Sequence, residues 1–457
     1  MNEAPQRQNR TSAIANPPGF PSLWVMVTTG AVSSRTESPA AAVFRPPRIL
    51  SIDAVRGLVM FTMIFVNDLA GNDIVPNWMV HFSDRHPSGS GMTFVDLVFP
   101  GFLFIVGMSI PFALGSRLAR GESVGRIIFH IVGRTLSLLL LGIMMVNESP
   151  DTPTMGWSAT WWTALMYLSA ILAFCGVAPP KRAGQSAEAA GRWRWVTLGL
   201  RVLGFAGLFW LALAFRGKHD HRIITFSPFS LHHEWYGILG LIGWAYAVGA
   251  VAFLLFRNHR TALLGCVALL MCFFAADKAG FFDNCPISHF VDFGTTLGSQ
   301  PAITVAGVLL ATILLTADTV ATAARVRFTL LFIAGFSAAA LLLNGLYGIS
   351  KNEATPSWCF WSCANTATFW LIFYLLADVR GLTRLAKPFA IAGQNVLLAY
   401  LISEGSESFL GVLHLGDWYD RLAETHLWCA VARSAGCGVV ILALTAWLNR
   451  RGFHLKL

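Results

Sequence analysis

Charge is scarce in this chain. Only 12% of its 457 residues are Asp, Glu, Lys or Arg, where soluble domains carry about 25%. That deficit excludes an ordinary water-soluble domain. No basic stretch is interleaved with aromatics, so the net charge of +9 does not read as a surface for stacking nucleic-acid bases, and no nucleic acid is expected. The 8 cysteines form no Cys-x-x-Cys pair and no Cys/His ligand spacing, which argues against a zinc or iron–sulfur site, and no metal is expected. No internal repeat stands out.

What the chain has in abundance is apolar length. Hydrophobic residues make up 55% of it, and the mean hydropathy is +0.58. Several runs exceed the roughly 20 residues that cross a bilayer core. The implied fold class is all-α: a polytopic helical membrane protein with about twelve spans (10–12). They are expected near 51–70, 95–116, 127–146, 157–178, 195–215, 235–256, 261–277, 302–324, 328–349, 363–379, 388–403 and 427–448. Residues 1–48, rich in Pro, Ser, Thr and Ala, read as a disordered cytoplasmic tail, and 49–457 as one transmembrane domain. Arg and Pro interrupt the tail's apolar run, which weakens a signal-peptide reading.

Loop charge sets the orientation. With the N-terminus inside, the inner segments hold 22 Lys and Arg and the outer loops 7. A wrong span count would scramble that alternation, so both ends are expected to face the cytoplasm. The outer loops then gather nine of the 12 histidines: His81, His86, His219, His221, His232, His233, His289, His414 and His426. Cys285 and Cys359 fall in loops on that side, where a disulfide would be tolerated.

Three stretches carry candidate chemistry. In "SIDAVRGLVMFTMIFVNDLAG", Asp53 and Arg56 are spaced i, i+3 on one helix face near the inner boundary. Asn67 lies about 21 Å further along the helix. The pair reads either as a structural ion pair or as part of a site, and Asn67 either as an interhelical contact or as a site residue. In "DRHPSGSGMTFVDLVFPGFLFIVGMSI", His86 precedes a Gly-Ser-Gly stretch that lets the loop fold over the helix mouth, and Asp96 opens the next span. Asp96 reads either as a cap on that helix or as the carboxylate that fixes the His86 tautomer and leaves the other ring nitrogen as base or nucleophile. Arg134, inside a span, needs a partner or a polar cavity. Asn395 is also mid-span, and Asp318, Asn344 and Asn365 read as interhelical contacts.

The stretch "SIDAVRG…IFVN…H…DLVFPGFLFIVGMSI", with "GRTLSLLLLGIMMVN" and "GQNVLLAY" further on, resembles the transmembrane acetyltransferases typified by heparan-alpha-glucosaminide N-acetyltransferase, in their bacterial branch. The likeness is most specific over 51–147. It implies transfer of acetyl from cytosolic acetyl-CoA, as co-substrate, to the amine of a glucosamine-type amino sugar across the bacterial inner membrane. It implies His86 as catalytic base or nucleophile, Asn67 as hydrogen-bond donor to the thioester carbonyl, and Asp96 as the residue orienting His86. Asp53, Arg56, Arg134 and Asn395 would serve the cofactor side. Membrane lipids and the sugar acceptor are the implied partners, and a homodimer is left open.

Two departures fall where an acceptor would bind. The loop "HPSGSGMT" lacks the family's Trp, and the fourth span reads "TWWTALMYLSAIL" in place of a "GVLQR"-like stretch. Two other activities remain open: a transporter of a small amino sugar, and an O-acetyltransferase for a surface glycan.

Overall fold

Apolar segments of bilayer length fold as helices because each backbone N–H and C=O must find its partner within the segment. The computed structural model describes residues 49–457 apart from 72–73, 148–149, 178–186, 228 and 316–320. The expected tail and Asp318 lie outside the described residues.

The chain runs through α1 (Leu50–Leu69), α2 (Val98–Ala119), α3 (Val124–Val146), α4 (Ala159–Phe174) and α5 (Ala187–Ala214). It continues with α6 (Gly237–Phe256), α7 (Arg260–Lys278), α8 (Gln300–Leu315), α9 (Thr322–Tyr347) and α10 (Pro356–Phe373). It ends with α11 (Thr383–Ala392), α12 (Val396–Val412), α13 (Gly416–Glu424) and α14 (Leu427–Arg450). Among the described residues, strands are confined to two antiparallel ribbons: β1 (Cys175–Val177) with β4 (Phe453–Leu455), and β2 (Ile224–Phe226) with β3 (Phe229–Leu231).

Ten helices among the described residues are long and apolar enough to cross a membrane. The other two expected spans depart from a straight helix. The fourth is the 16-residue α4, short of bilayer length. The eleventh is a broken pair, α11 and α12, bent by 64°. The break has a local cause. Pro388 disrupts the ladder inside α11, and Asn395 leaves the helical region at φ −137°, ψ 53°. Asn395 is therefore the hinge residue rather than a mid-helix one. Its Oδ1 accepts from Leu455 N (3.3 Å), tying the break to β4.

The core helix is α8. In its span 89% of the residues are buried, against 22% for α9. It crosses α2 at two glycines: a Cβ on Gly107 would run into the Thr304 carbonyl, and one on Gly307 into that of Phe104. Small residues let helix backbones approach closely where lipid supplies no hydrophobic drive between them. The same device joins α1 to α11, where Gly57 faces the Phe389 carbonyl and Gly393 that of Asp53.

At its other end α1 is tied by charge. Asp68 accepts from Tyr419 Oη (2.6 Å) on α13 and from Ser434 Oγ (2.6 Å) on α14, with Arg433 Nη2 at 3.2 Å. The Arg433 side chain is only 9% exposed. Asp68→Ala removes three of these ties but leaves Arg433 its bond to the residue-68 carbonyl (2.6 Å) and Asp420 at 3.7 Å, so the cost should be about 1–3 kcal/mol, read as an earlier loss of monodisperse protein on heating in detergent. An unchanged melting profile would show that this tie carries little.

The disulfide that loop positions would have allowed between Cys285 and Cys359 is not formed. Both thiols are free, and Cys359 is buried inside α10 rather than in a loop. Asn344 is exposed, and Asn365 Nδ2 donates to Trp361 O (2.8 Å) of its own helix, so neither makes the expected interhelical bond.

Candidate functional site

A single 3-10 turn, Val95–Leu97, delivers Asp96 to the start of α2 with 1% exposure. A carboxylate that far from water needs donors on both oxygens. Oδ2 accepts from Thr93 N (2.9 Å) and Phe82 N (3.1 Å), and Oδ1 lies 2.7 Å from Nδ1 of His81. The indole of Trp358 donates to the Asp96 carbonyl oxygen (3.2 Å), fixing the turn from α10.

The partner of Asp96 is thus His81, not His86 as the spacing suggested. The reason is local. Met79 and Val80 are buried and anchor the chain just before His81, while the short helix Phe82–Arg85 leads the next residues outward. His86 is exposed and stacks on the Phe82 ring at 4.8 Å between centroids. The signal in the sequence was the apolar "WMV" immediately ahead of His81, set against the Pro-Ser-Gly-Ser-Gly run after His86.

On its other side His81 meets Lys351, which the sequence did not single out. Lys351 Nζ lies 3.2 Å from Nδ1 and 3.0 Å from Nε2 of the ring. Burial holds the Lys351 ammonium below its ordinary value of 10.5, and the negative charges of Asp96 and Asp84 partly oppose that. The folded protein therefore binds fewer protons at Lys351 than the unfolded chain does between the lowered value and 10.5. Stability should rise with pH through that window, and Lys351→Met should flatten the rise. Thermal unfolding followed across the window checks it. A slope identical in wild type and variant would assign the pH dependence elsewhere.

Two cavities flank α1. One, of about 640 Å³, lies at its C-terminal end and is lined by Asn67, His81, Lys351, Gln300, Glu234 and Tyr236 among others. The second, of about 760 Å³, lies at its N-terminal end. Both are walled by Met63 and Ile238, so they adjoin each other across the bundle.

The second cavity is basic, with Arg56, Arg117, His130, Arg134 and Lys456 on its walls against a single carboxylate, Asp53. Arg56 is also a structural hub. Its Nη1 donates to Asp53 Oδ1 (3.1 Å) and Gly393 O (3.3 Å), and its Nη2 to Ser109 Oγ (2.7 Å). Arg134 finds the polar surroundings that its place in a span demands, and its guanidinium sits 4.6 Å above the Tyr246 ring. Asn395 lines the same cavity, beside the break in α11–α12. The site residues expected from the sequence therefore separate into two groups. Asp53, Arg56, Arg134 and Asn395 share the basic cavity, Asn67 faces the other, and Asp96 reaches that other cavity through His81.

Asn67 Nδ2 donates to Glu404 Oε1 (2.8 Å), a contact from α12 absent from the sequence reading. An amide nitrogen carries two hydrogens, so a second acceptor can still be served.

Among known proteins, residues 48–150 match a family model described as a domain of unknown function, DUF5009. The human (Homo sapiens) heparan-alpha-glucosaminide N-acetyltransferase is 37% identical over 112 residues, which is 24% of this chain and 16% of the human protein. The mouse (Mus musculus) enzyme of the same name is 34% identical over 110 residues, again 24% and 16%. The matched stretch thus spans about a sixth of the length of these relatives. Over that quarter of its length, this multi-pass helical membrane protein is related to the heparan-alpha-glucosaminide N-acetyltransferases.

Proposed function

We propose that the chain is a membrane acyltransferase that carries acetyl from acetyl-CoA to the amine of an amino sugar, with its two substrates entering from opposite ends of α1. The observation that carries the reading is the juxtaposition of a cavity lined by His81, which is paired with buried Asp96, and a basic cavity that shares its Met63 and Ile238 wall. Relatedness to N-acetyltransferases supports it.

Each group has a distinct role. The phosphates of acetyl-CoA suit the arginine-lined cavity, on the side where the inner-loop charge excess places the cytoplasm. The uncharged pantetheine arm reaches past Met63 toward the cavity of His81. Once Lys351 Nζ, 3.0 Å from Nε2 of His81, turns toward the thioester oxygen, that Nε2 takes a proton from the amine as the amine nitrogen attacks the thioester carbonyl carbon. The C–S bond then breaks, and the departing thiolate recovers that proton. Asp96 accepts from Nδ1–H and so keeps Nε2 as the basic nitrogen. The carbonyl oxygen, as it turns negative, takes a hydrogen bond from the Asn67 amide and the field of Lys351. His81 thereby fills the role that the family resemblance gave to His86. The setting we infer is a bacterial inner membrane, with the acceptor on the periplasmic face.

A second reading has its own observation. A broken helix lining a cavity, as α11–α12 does, is a device of transporters. One pair of measurements separates the two. Purified protein given labelled acetyl-CoA and a panel of amino sugars should place the label on the sugar nitrogen. Label appearing only on sugars lacking an amine would make it an O-acetyltransferase. Flux of labelled amino sugar into proteoliposomes without acetyl-CoA, and no transfer, would make it a transporter.

A further inference from the structure

The sequence offers no familiar metal spacing, yet folding brings one together. His221 and His232 are separated by ten residues that include the paired strands β2 and β3. The ribbon closes on itself, with His232 N donating to Ile223 O (2.8 Å) and Gly217 N to His221 O (2.8 Å). The two imidazoles end 4.1 Å apart between ring centroids, nearly perpendicular at 83°. Glu234, held in the left-handed region at φ 47°, turns its carboxylate back onto both. Its Oε1 lies 3.1 Å from His232 Nε2 and 3.9 Å from His221 Nε2. One donor atom from each of the three falls within 4.8 Å of the others.

A side-chain oxygen of the bundle holds His221 in place before an ion enters. Asn147 is buried, and its Nδ2 is fixed on Ile143 O (2.8 Å), which turns Oδ1 to 3.1 Å from His221 Nε2. Four ligands around zinc stand about 3.3 Å apart when metal–ligand bonds are near 2.0 Å. The Glu234–His232 pair already stands at 3.1 Å, and the more widely spaced donors need to close by up to about 1.5 Å to reach that spacing.

We propose that His221, His232 and Glu234 form a binding site for a divalent ion of the zinc class. Two imidazoles and one carboxylate suit that class better than calcium or magnesium, which take oxygen ligands. Binding needs the lone pair of His221 Nε2, so its proton moves to Nδ1 as the ion enters, and no oxidant or reductant is involved. The His232 and Glu234 side chains are about half exposed, which leaves the ion a path in from solvent. Glu234 also lines the cavity of His81, so the ion pins the base of the hairpin to that cavity's rim. The site is independent of the reaction proposed above.

The test is a zinc titration of the full-length protein in detergent, carrying no polyhistidine tag, in competition with a chromophoric chelator. The expected result is one tight equivalent, accompanied by a rise in unfolding temperature. His232→Ala and Glu234→Gln should remove both effects while size-exclusion behaviour stays unchanged. His233→Ala, next to the cluster but outside it, should leave binding intact. Zinc bound equally by wild type and His232→Ala would overturn the assignment, since the remaining histidines would then account for it. Absence of a tight equivalent in wild type would overturn it as well.

Discussion

Replacing His81 by alanine should reduce acetyl transfer by about 10²–10⁴-fold, the range that a positioned general base contributes. His86→Ala should leave transfer close to wild type. The two histidines sit five residues apart in one loop, yet only His81 touches the buried carboxylate and the cavity. His86 points to solvent and rests on Phe82. The measurement is the initial rate with labelled acetyl-CoA at saturating acceptor, with CoA binding determined separately for each variant. CoA binding should survive both changes, because the basic cavity contains neither residue. A dead His86→Ala beside an active His81→Ala would reverse the assignment. Asp96→Asn should fall between the two, since an amide can still accept from backbone N–H groups but does not stabilise the imidazolium as a carboxylate does. The pH–rate profile should change shape in that variant, which a purely structural role for Asp96 would not produce.

The second large effect concerns the passage between the cavities. Ile238→Trp should cut transfer by about 100-fold, the loss that an ångström-scale misplacement of a reactive group brings. Ile238 is only partly buried and lines both cavities, so a larger side chain narrows the shared wall without overfilling the core. The variant should still bind CoA and behave as a monodisperse protein. That separates an obstructed thioester arm from a lost binding site. Undiminished transfer would mean that acetyl takes another path.

The spans were largely legible in the sequence, because hydrocarbon length is a one-dimensional signal. All twelve expected spans have a counterpart, and the two irregular ones depart for local reasons: α4 is short, and α11–α12 breaks at Asn395. The division of the site was less visible. Asp96 and Asn67 are legible as helix-end residues and Arg134 as a charge inside a span, but the cavity that each adjoins is not. The choice between His81 and His86 turned on which flank of the loop was anchored, and that depends on Met79 and Val80 packing into the bundle. Lys351 and Glu404 were invisible, since each comes from a segment some 270 or more residues away. The histidine–glutamate cluster escaped notice for a related reason: its spacing has meaning only once a hairpin closes between the ligands.

Met63, the other side chain common to both chambers, is a thioether. Peroxide, a frequent contaminant of detergent stocks, converts such a side chain into a polar sulfoxide that no longer suits an apolar wall. Preparations aged in such stocks should lose turnover before they lose solubility, and methionine sulfoxide reductase should restore it. A Met63→Leu protein, similar in bulk and inert to peroxide, should keep its activity through the same storage.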